Sequence, residues 1–328
     1  MLDTEPWWIY RGTGRPPDPG QQGQPGQPGQ PEPPLPAPPP WRRPDAPPGA
    51  AVDLGPDGLA LVNAALLWRR PLLVTGPPGA GKSTLARQLA RELGLGPVLR
   101  WWITSTTSLR EGLYEHDTTG RLCAAAARRE DPGAGAFVRL GPLGTALLPR
   151  ERPRVLLVEN LDRSDVALCE AVQDVLEEGA FDVAELRDVP AATVGTADGP
   201  GAAAEIAHGR VACGDGYPVV VITAADEDVL PRAFTGRCVP LRLSATPDPD
   251  RLAETWLPPE TAGAGARAAL RVLEGMEPGQ APGARPLLDA MWLAQTRHSA
   301  GGPTPEGEYP GQTALDALLR RAAWGETR

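Results

Sequence analysis

Short apolar runs alternate with amphipathic stretches through the middle of the chain. Pro71-Leu72-Leu73-Val74-Thr75, Val155-Leu156-Leu157-Val158 and Val219-Val220-Val221-Ile222 are unbroken runs of strand length. Continuous rather than alternating apolar character is expected of parallel strands covered on both faces. Val98 to Ile103 and Val239-Pro240-Leu241-Arg242-Leu243 are two further candidates, and the proline confines the second to a sheet edge. Between these runs the period becomes that of a helix. Residues 56–70 are predicted helical, with Leu59, Val62, Leu66 and Leu67 on one face. Lys82 to Leu93 repeats Leu85, Leu89 and Leu93 four apart, and Gly94 is a natural stop. A further helix is predicted from Ser164 or Asp165, with Val166, Cys169, Val172 and Leu176 as its buried stripe and Gly179 as its end. Residues 106–127 are predicted helical in parts. Residues 180–217 read as irregular, with short strands near Phe181 and Val211. Beyond Pro247 the pattern is helical, broken by Gly/Pro linkers. The whole predicts a parallel α/β domain over 51–246, then a small helical lid and C-terminal helix over 247–328.

Composition changes this picture mainly at the N-terminus. Residues 15–50 are dominated by Pro, Gly and Gln and have little to bury, so they read as an extended spacer. Ahead of them, residues 1–14 carry Trp7, Trp8, Ile9 and Tyr10, a cluster expected to dock on the core or bind a partner. The first residues lack the long apolar run of a signal peptide, and no stretch reaches the ~18 apolar residues of a membrane span. Cys123, Cys169, Cys213 and Cys238 are scattered without CxxC pairing, which suits buried free thiols in a reducing, cytoplasmic setting. The net charge of −9 argues against a surface that coats nucleic acid.

Lys82 is the only lysine among 328 residues. It falls in Gly76-Pro77-Pro78-Gly79-Ala80-Gly81-Lys82-Ser83, which fits G-x-x-x-x-G-K-[ST] at every fixed position and runs on through Thr84 into the predicted helix. Strand, glycine loop and helix in that order point backbone N–H groups and a helix N-terminus at an anion. Lys82 is expected to reach the β- and γ-phosphates of ATP, and the Ser83 hydroxyl to ligate Mg2+. A compact ammonium serves there as a point charge in a way a planar guanidinium does not. The second candidate element is the run ending Glu159-Asn160-Leu161-Asp162. A buried strand with an acidic tip is where a P-loop NTPase keeps its magnesium carboxylate and its water-activating base.

Several stretches together resemble MoxR-type AAA+ ATPases, and within them an actinobacterial subgroup with a Trp-rich N-terminus and a Pro-rich linker. They are LVNAALLWRRPLLVTGPPGAGKSTLA, LGLGPVLRWWITS, RLGPLGTALLPRERPRVLLVENLDRSD, VLEEGAF and YPVVVITAADEDVLPRAFTGRC, within roughly residues 52–300. The resemblance implies an AAA+ P-loop fold: a five-stranded parallel sheet sandwiched by helices, followed by a helical lid. It also implies a homo-oligomeric ring, by analogy a hexamer, and a protein partner such as a von Willebrand A-domain protein. It places the family's Asp-Glu pair on Glu159 and Asn160. Glu159 keeps a charge for Mg2+, whereas the Asn160 amide has no useful basicity. Sensor 1 falls on Ala225, with Thr223 the nearby hydroxyl; Arg237 is the implied trans-acting arginine finger, and Arg285 the implied sensor 2. Trp101 and Trp102 are expected to pack at the end of the second strand. His116 and Asp117 sit in a stretch that follows the family rather than marking a catalytic pair. Three activities stay open: an ATPase with slow turnover, a nucleotide-binding scaffold that does not turn over, and a small-molecule kinase on the same loop. The kinase leaves the finger and lid without a role.

Overall fold

The computed structural model describes residues 38–43, 52, 54–126, 133–243, 248–274 and 284–299. The aromatic segment 1–14 lies outside them, as does most of the 15–50 tract. The chain forms two compact units: Ala51–Ala245 is one, and the residues flanking it on both sides make the other.

The first unit is built on a five-stranded sheet of β1 (Leu72–Thr75), β2 (Leu99–Trp102), β3 (Val155–Glu159), β4 (Val219–Thr223) and β5 (Val239–Arg242). The spatial order is β5-β1-β4-β3-β2, and every neighbouring pair is parallel. All five predicted strands form, and Pro240 does sit on an edge strand, which pairs only with β1. Successive side chains of each strand enter opposite cores. Leu73, Leu156, Val158 and Ile222 pack on one face; Leu72, Val74, Leu157 and Val221 pack on the other. The second face is covered by α1 (Gly55–Trp68) and α2 (Lys82–Glu92), the first by α3 (Val166–Glu178) among others. Each fully buried aliphatic side chain contributes roughly 1.5–3 kcal/mol of transfer free energy.

The helical stripes need correction. In α1 the buried positions are Gly58, Val62 and Ala65, while Leu59 and Leu67 face solvent. This helix is apolar around most of its circumference, so periodicity alone selects no face. In α2 the core takes Leu85, Ala86, Leu89 and Ala90, and Leu93 lies outside, beyond the last helical residue. In α3 Leu168 replaces Val166 in the stripe, because Val166 is the first helical residue and points outward. Asp165 caps that helix by accepting from the Leu168 N–H at 2.8 Å, and Gly179 ends it in a left-handed conformation. Trp101 is buried as expected, but Trp102 is exposed.

Segments read as helical or irregular contain more strand than expected. Tyr114–His116 pairs antiparallel with Val138–Leu140, and Ala192–Gly195 with Ala203–Ile206. The short strands expected near Phe181 and Val211 do form, Ala180–Asp182 pairing antiparallel with Arg210–Ala212. The Ala/Gly-rich composition of 192–206 hides its alternation of buried and exposed positions.

The second unit contains α4 (Pro249–Trp256), α5 (Pro259–Glu274) and α6 (Ala284–Ser299), packed around Leu252, Leu257, Leu287 and Met291. The Pro-rich tract is more than a spacer at its end. Trp41 packs edge-on against Trp256 and Trp292, and its indole N–H donates to Asp289 at 3.3 Å. No helix among the described residues is long and apolar enough to cross a membrane.

The thiols divide three to one. Cys169, Cys213 and Cys238 are buried, and Cys123 is exposed, contrary to the expectation of four buried thiols. Burial raises the pKa of Cys169 and Cys213 and pushes that of Cys238 up to about 12. The thiolate is the reactive form. Titration of the native protein with Ellman's reagent at pH 8 should therefore consume one thiol rapidly, and a Cys123→Ser variant should show no fast phase. Rapid reaction of three or four thiols would contradict this packing.

Candidate nucleotide site

The loop from Gly76 to Ser83 leaves the carboxyl end of β1 and enters α2 at Lys82. Its path depends on two glycines. Gly76 has φ +138°, and a Cβ there would lie 2.5 Å from the Leu243 carbonyl oxygen. Gly81 has φ +93°, and its Cβ would lie 2.8 Å from Val52 Cγ2. Val52 is fixed in turn, its N–H donating to Gln88 Oε1 at 2.9 Å. The Lys82 ammonium folds back on the loop and donates to the carbonyls of Gly76 and Pro77. Burial lowers its pKa below the usual lysine value, an effect that the Asp162 carboxylate opposes. The first amides of α2 have no intrahelical acceptor by the geometry of a helix start, so they face the same space as donors.

Glu159 ends β3 and is only 5% exposed. One carboxylate oxygen accepts from the Ser83 hydroxyl and the other from the Arg100 guanidinium. Arg100 lies on β2, the strand beside β3, and its guanidinium stacks over the Trp102 ring at 4.8 Å. Sequence reasoning missed Arg100. The signal was a lone charge alternating with Trp102 on the open face of Leu99-Arg100-Trp101-Trp102, next to the strand that ends in acid.

Asn160 adopts a left-handed conformation, φ 61° and ψ 47°, and its N–H donates to Thr223 Oγ1 at 3.1 Å. Asn is one of the few non-glycine residues that visit this region readily. The bend and the single 3-10 turn Leu161–Arg163 bring Asp162 back over the end of β4. Asp162 Oδ2 accepts from the Ala225 N–H at 3.0 Å, while the Ala225 carbonyl accepts from the Gly76 N–H at 3.3 Å. Oδ1 of Asp162 is buried without a hydrogen-bond partner. Ala225, which lacks a polar side chain, thus couples the glycine loop to Asp162 through its main chain.

Gly76 to Ser83, Glu159, Asn160, Asp162, Thr223 and Ala225 therefore converge at the carboxyl end of the sheet. Arg237 does not. It precedes β5, whose first residue Val239 is level with Leu72 at the start of β1. Gly76 lies four residues further along that direction, about 13 Å at a strand rise of ~3.3 Å per residue. The Arg237 side chain pairs instead with Glu177 at 2.5 Å. Arg285 is the second residue of α6, in the other unit, and is exposed.

These residues fit a nucleotide triphosphate with Mg2+. The Lys82 ammonium and the free amides that begin α2 lie in one loop, and Asp162 Oδ1 is buried beside it without a hydrogen-bond partner. Among the described residues no three His, Cys, Asp or Glu side chains cluster as a metal cage. Mg2+ with phosphates needs none, since one or two protein oxygens suffice. Ser83 and Glu159 would supply them.

Residues 71–198 match the family model of the AAA domain (dynein-related subfamily). The sheet and loop have the fold of an AAA+ P-loop NTPase. No curated protein matches the chain. Similar solved structures include a point mutant of RuvB from Thermotoga maritima, at 15% identity and TM-score 0.38, covering 72% of this chain and 58% of that one. NtrX from Brucella abortus in complex with ATP is 15% identical with TM-score 0.45, covering 79% of this chain and 54% of that one. Its complex with ADP is also 15% identical, with TM-score 0.36 and coverages of 74% and 46%. The chain spans 58% or less of the length of each.

The contact at Gly76 is with main chain, which cannot rotate away, and φ +138° is strained for any side chain. Gly76→Ala should lower unfolding free energy by roughly 1–3 kcal/mol, read as a lower urea midpoint at unchanged slope. An unchanged midpoint would mean the loop is not held as described.

Proposed function

We propose that this protein is an AAA+ ATPase of the MoxR-like kind that binds ATP with Mg2+ in the Gly76–Ser83 loop and turns it over slowly. The observation that carries this reading is the convergence of Lys82, Ser83 and the buried Glu159 at the carboxyl end of a parallel sheet. Lys82 holds the outer phosphates in place of its present carbonyl partners. The amides of α2 bind the inner ones, and Ser83 and Glu159 would hold Mg2+, which would supply neutralising charge to the phosphates. Pro77, Pro78, Gly79, Ala80 and Thr84 shape and close the loop around them. Asn160 cannot accept the proton of an attacking water. Asp162 is the carboxylate best placed to do so, being held by Ala225 with one oxygen free of protein partners and close enough to perturb Lys82. Arg237, remote from its own loop, serves the nucleotide of a neighbouring subunit in a ring. Arg285, in the helical unit, is the residue that the family resemblance assigns to sensor 2. A ring that changes with nucleotide state acts on a partner protein, for which a von Willebrand A-domain protein is the family-based choice, in the cytoplasm.

The Asn160 amide favours a second reading: a scaffold that binds ATP and assembles without hydrolysing it. Steady-state phosphate release separates the two. With Asp162 as the base, the parent turns over measurably, and Asp162→Asn lowers the rate by about 10²-fold or more while ATP affinity is kept. A parent with tight ATP binding and no phosphate release supports the scaffold. In that case Glu159→Asp combined with Asn160→Glu should restore release, by less than the ~10²-fold of a well-placed base, because Glu disfavours the left-handed backbone at 160 by about 1–2 kcal/mol. Brisk release that is indifferent to changes at both 160 and 162 would refute the assignment of this motif.

A further inference from the structure

Trp41 is the only aromatic residue between positions 15 and 50, in a tract with little else to bury. The helical unit holds it. Its ring meets Trp256, the last residue of α4, edge-on with centroids 5.9 Å apart, and Trp292 of α6 in the same way at 5.6 Å. Both separations lie in the range where the positive edge of one ring is attracted by the face of another. Asp289 stands one turn before Trp292 on α6. Its Oδ1 accepts from the Trp41 indole N–H at 3.3 Å, and its Oδ2 lies 3.6 Å from the Arg42 guanidinium. Two rings and one carboxylate therefore read three features of a short segment: an aromatic ring, the N–H on that ring and the cation that follows it.

The segment arrives in a set shape. Pro39 has φ −51° and ψ 146°, the polyproline conformation, and Pro40–Arg42 then forms a single 3-10 turn. The turn closes on itself, the Arg42 N–H donating to the Pro39 carbonyl at 2.9 Å and the Arg43 N–H to that of Pro40 at 3.2 Å. With three prolines in a row, little freedom is left to lose when the tryptophan seats. The seat is also open at its rim. Trp41, Trp256 and Trp292 are all only half-buried, and the side chains of Arg42 and Asp289 are 52% and 41% exposed. A pre-shaped proline-rich segment, one aromatic anchor and a charge pair at a wet rim are the parts of a peptide-recognition site.

We propose that the face formed by Trp256, Asp289 and Trp292 is a recognition site for extended Pro-Trp-Arg segments of a partner protein. The chain's own residues 38–43 occupy it as a tethered ligand that such a segment displaces. The seated segment specifies the partner: proline before the ring for shape, tryptophan for the two facing rings, and arginine next for Asp289. The chain's other Pro-Trp pair, Pro6-Trp7, does not meet this description, because Trp8 stands where Arg42 does. Being tethered, residues 38–43 compete at an effective concentration on the order of millimolar, which keeps the face covered against weak or sparse competitors. The site stands apart from the nucleotide reading, since its residues all belong to the helical unit and the glycine loop to the other.

The probe is a fluorescein-labelled peptide with the sequence of residues 36–45, titrated by anisotropy into the full-length parent and full-length Trp41→Ala. Trp41→Ala should bind it saturably, and the parent about tenfold less tightly or worse, because its own tryptophan competes. Adding Asp289→Ala to Trp41→Ala should cost about tenfold in affinity, as expected for a hydrogen bond to a charged group. A peptide of residues 1–12 should bind Trp41→Ala about tenfold less tightly or worse, having no arginine directly after its Pro-Trp pair. In the parent, saturating unlabelled peptide should raise hydrogen exchange at the Arg42 and Arg43 amides, whose turn it releases. Trp41→Phe keeps a ring and loses the indole N–H, so it should bind the probe with intermediate affinity, and it carries the test if Trp41→Ala does not fold. Variants that bind the probe no better than the parent, or equal binding of a peptide with alanine in place of its tryptophan, would overturn the site. Unchanged exchange at Arg42 and Arg43 under saturating peptide would reveal a fixed strap and overturn the displacement. Tighter binding of the 1–12 peptide would overturn the partner as occupant and assign the face to the chain's own N-terminus.

Discussion

A carboxylate that is almost fully withdrawn from water must be paired, because an isolated buried charge costs several kcal/mol. Glu159 meets that requirement with two partners from two directions: the Ser83 hydroxyl at the head of α2 and the Arg100 guanidinium from β2. The pairing joins the glycine loop, the acidic strand end and the edge strand into one polar cluster at the carboxyl end of the sheet. It also sets the terms on which a metal enters. A divalent ion at Glu159 would meet a guanidinium already there, held as well by its stacking on Trp102. Breaking the cluster from one side only leaves a buried charge with half its compensation, so its members act as a unit.

The second constraint is the backbone at 160. A left-handed residue at the strand end suits Asn, and the turn it starts swings Asp162 to the Ala225 amide. Two changes that look like losses in isolation, an amide at 160 and a methyl at 225, are thus linked in one arrangement. Main-chain groups of Ala225 do the positioning, and a carboxylate close enough to perturb Lys82 stands two residues beyond Asn160. In the proposed reaction, turnover would depend on Asp162 and not on Asn160 alone.

Much of this was legible in the residues. The strands were, because a parallel strand buried on both faces is an unbroken apolar run; Val155 to Val158 and Val219 to Ile222 allow little else. The loop was, because its glycines are needed for positive φ and close approach. Helix faces were not: α1 is apolar nearly all round, so Leu59 and Leu67 looked as eligible as Ala65. The antiparallel pair at Ala192 was hidden by alanine and glycine, and the one at Val138 by strands of three residues, too short to show a period. Arg100 was hidden for another reason. Its role comes from a neighbouring strand far away in sequence, and only the register of β2 against β3 brings it to Glu159.

Whether Lys82 and its loop hold a triphosphate decides the rest. Calorimetric titration of Mg·ATP into the parent and into Lys82→Ala tests that directly. The parent should bind saturably, and the variant should lose affinity by one or more orders of magnitude, since a charged donor to phosphate is removed. Equal affinities, or no binding by either protein, would contradict a nucleotide site in this loop.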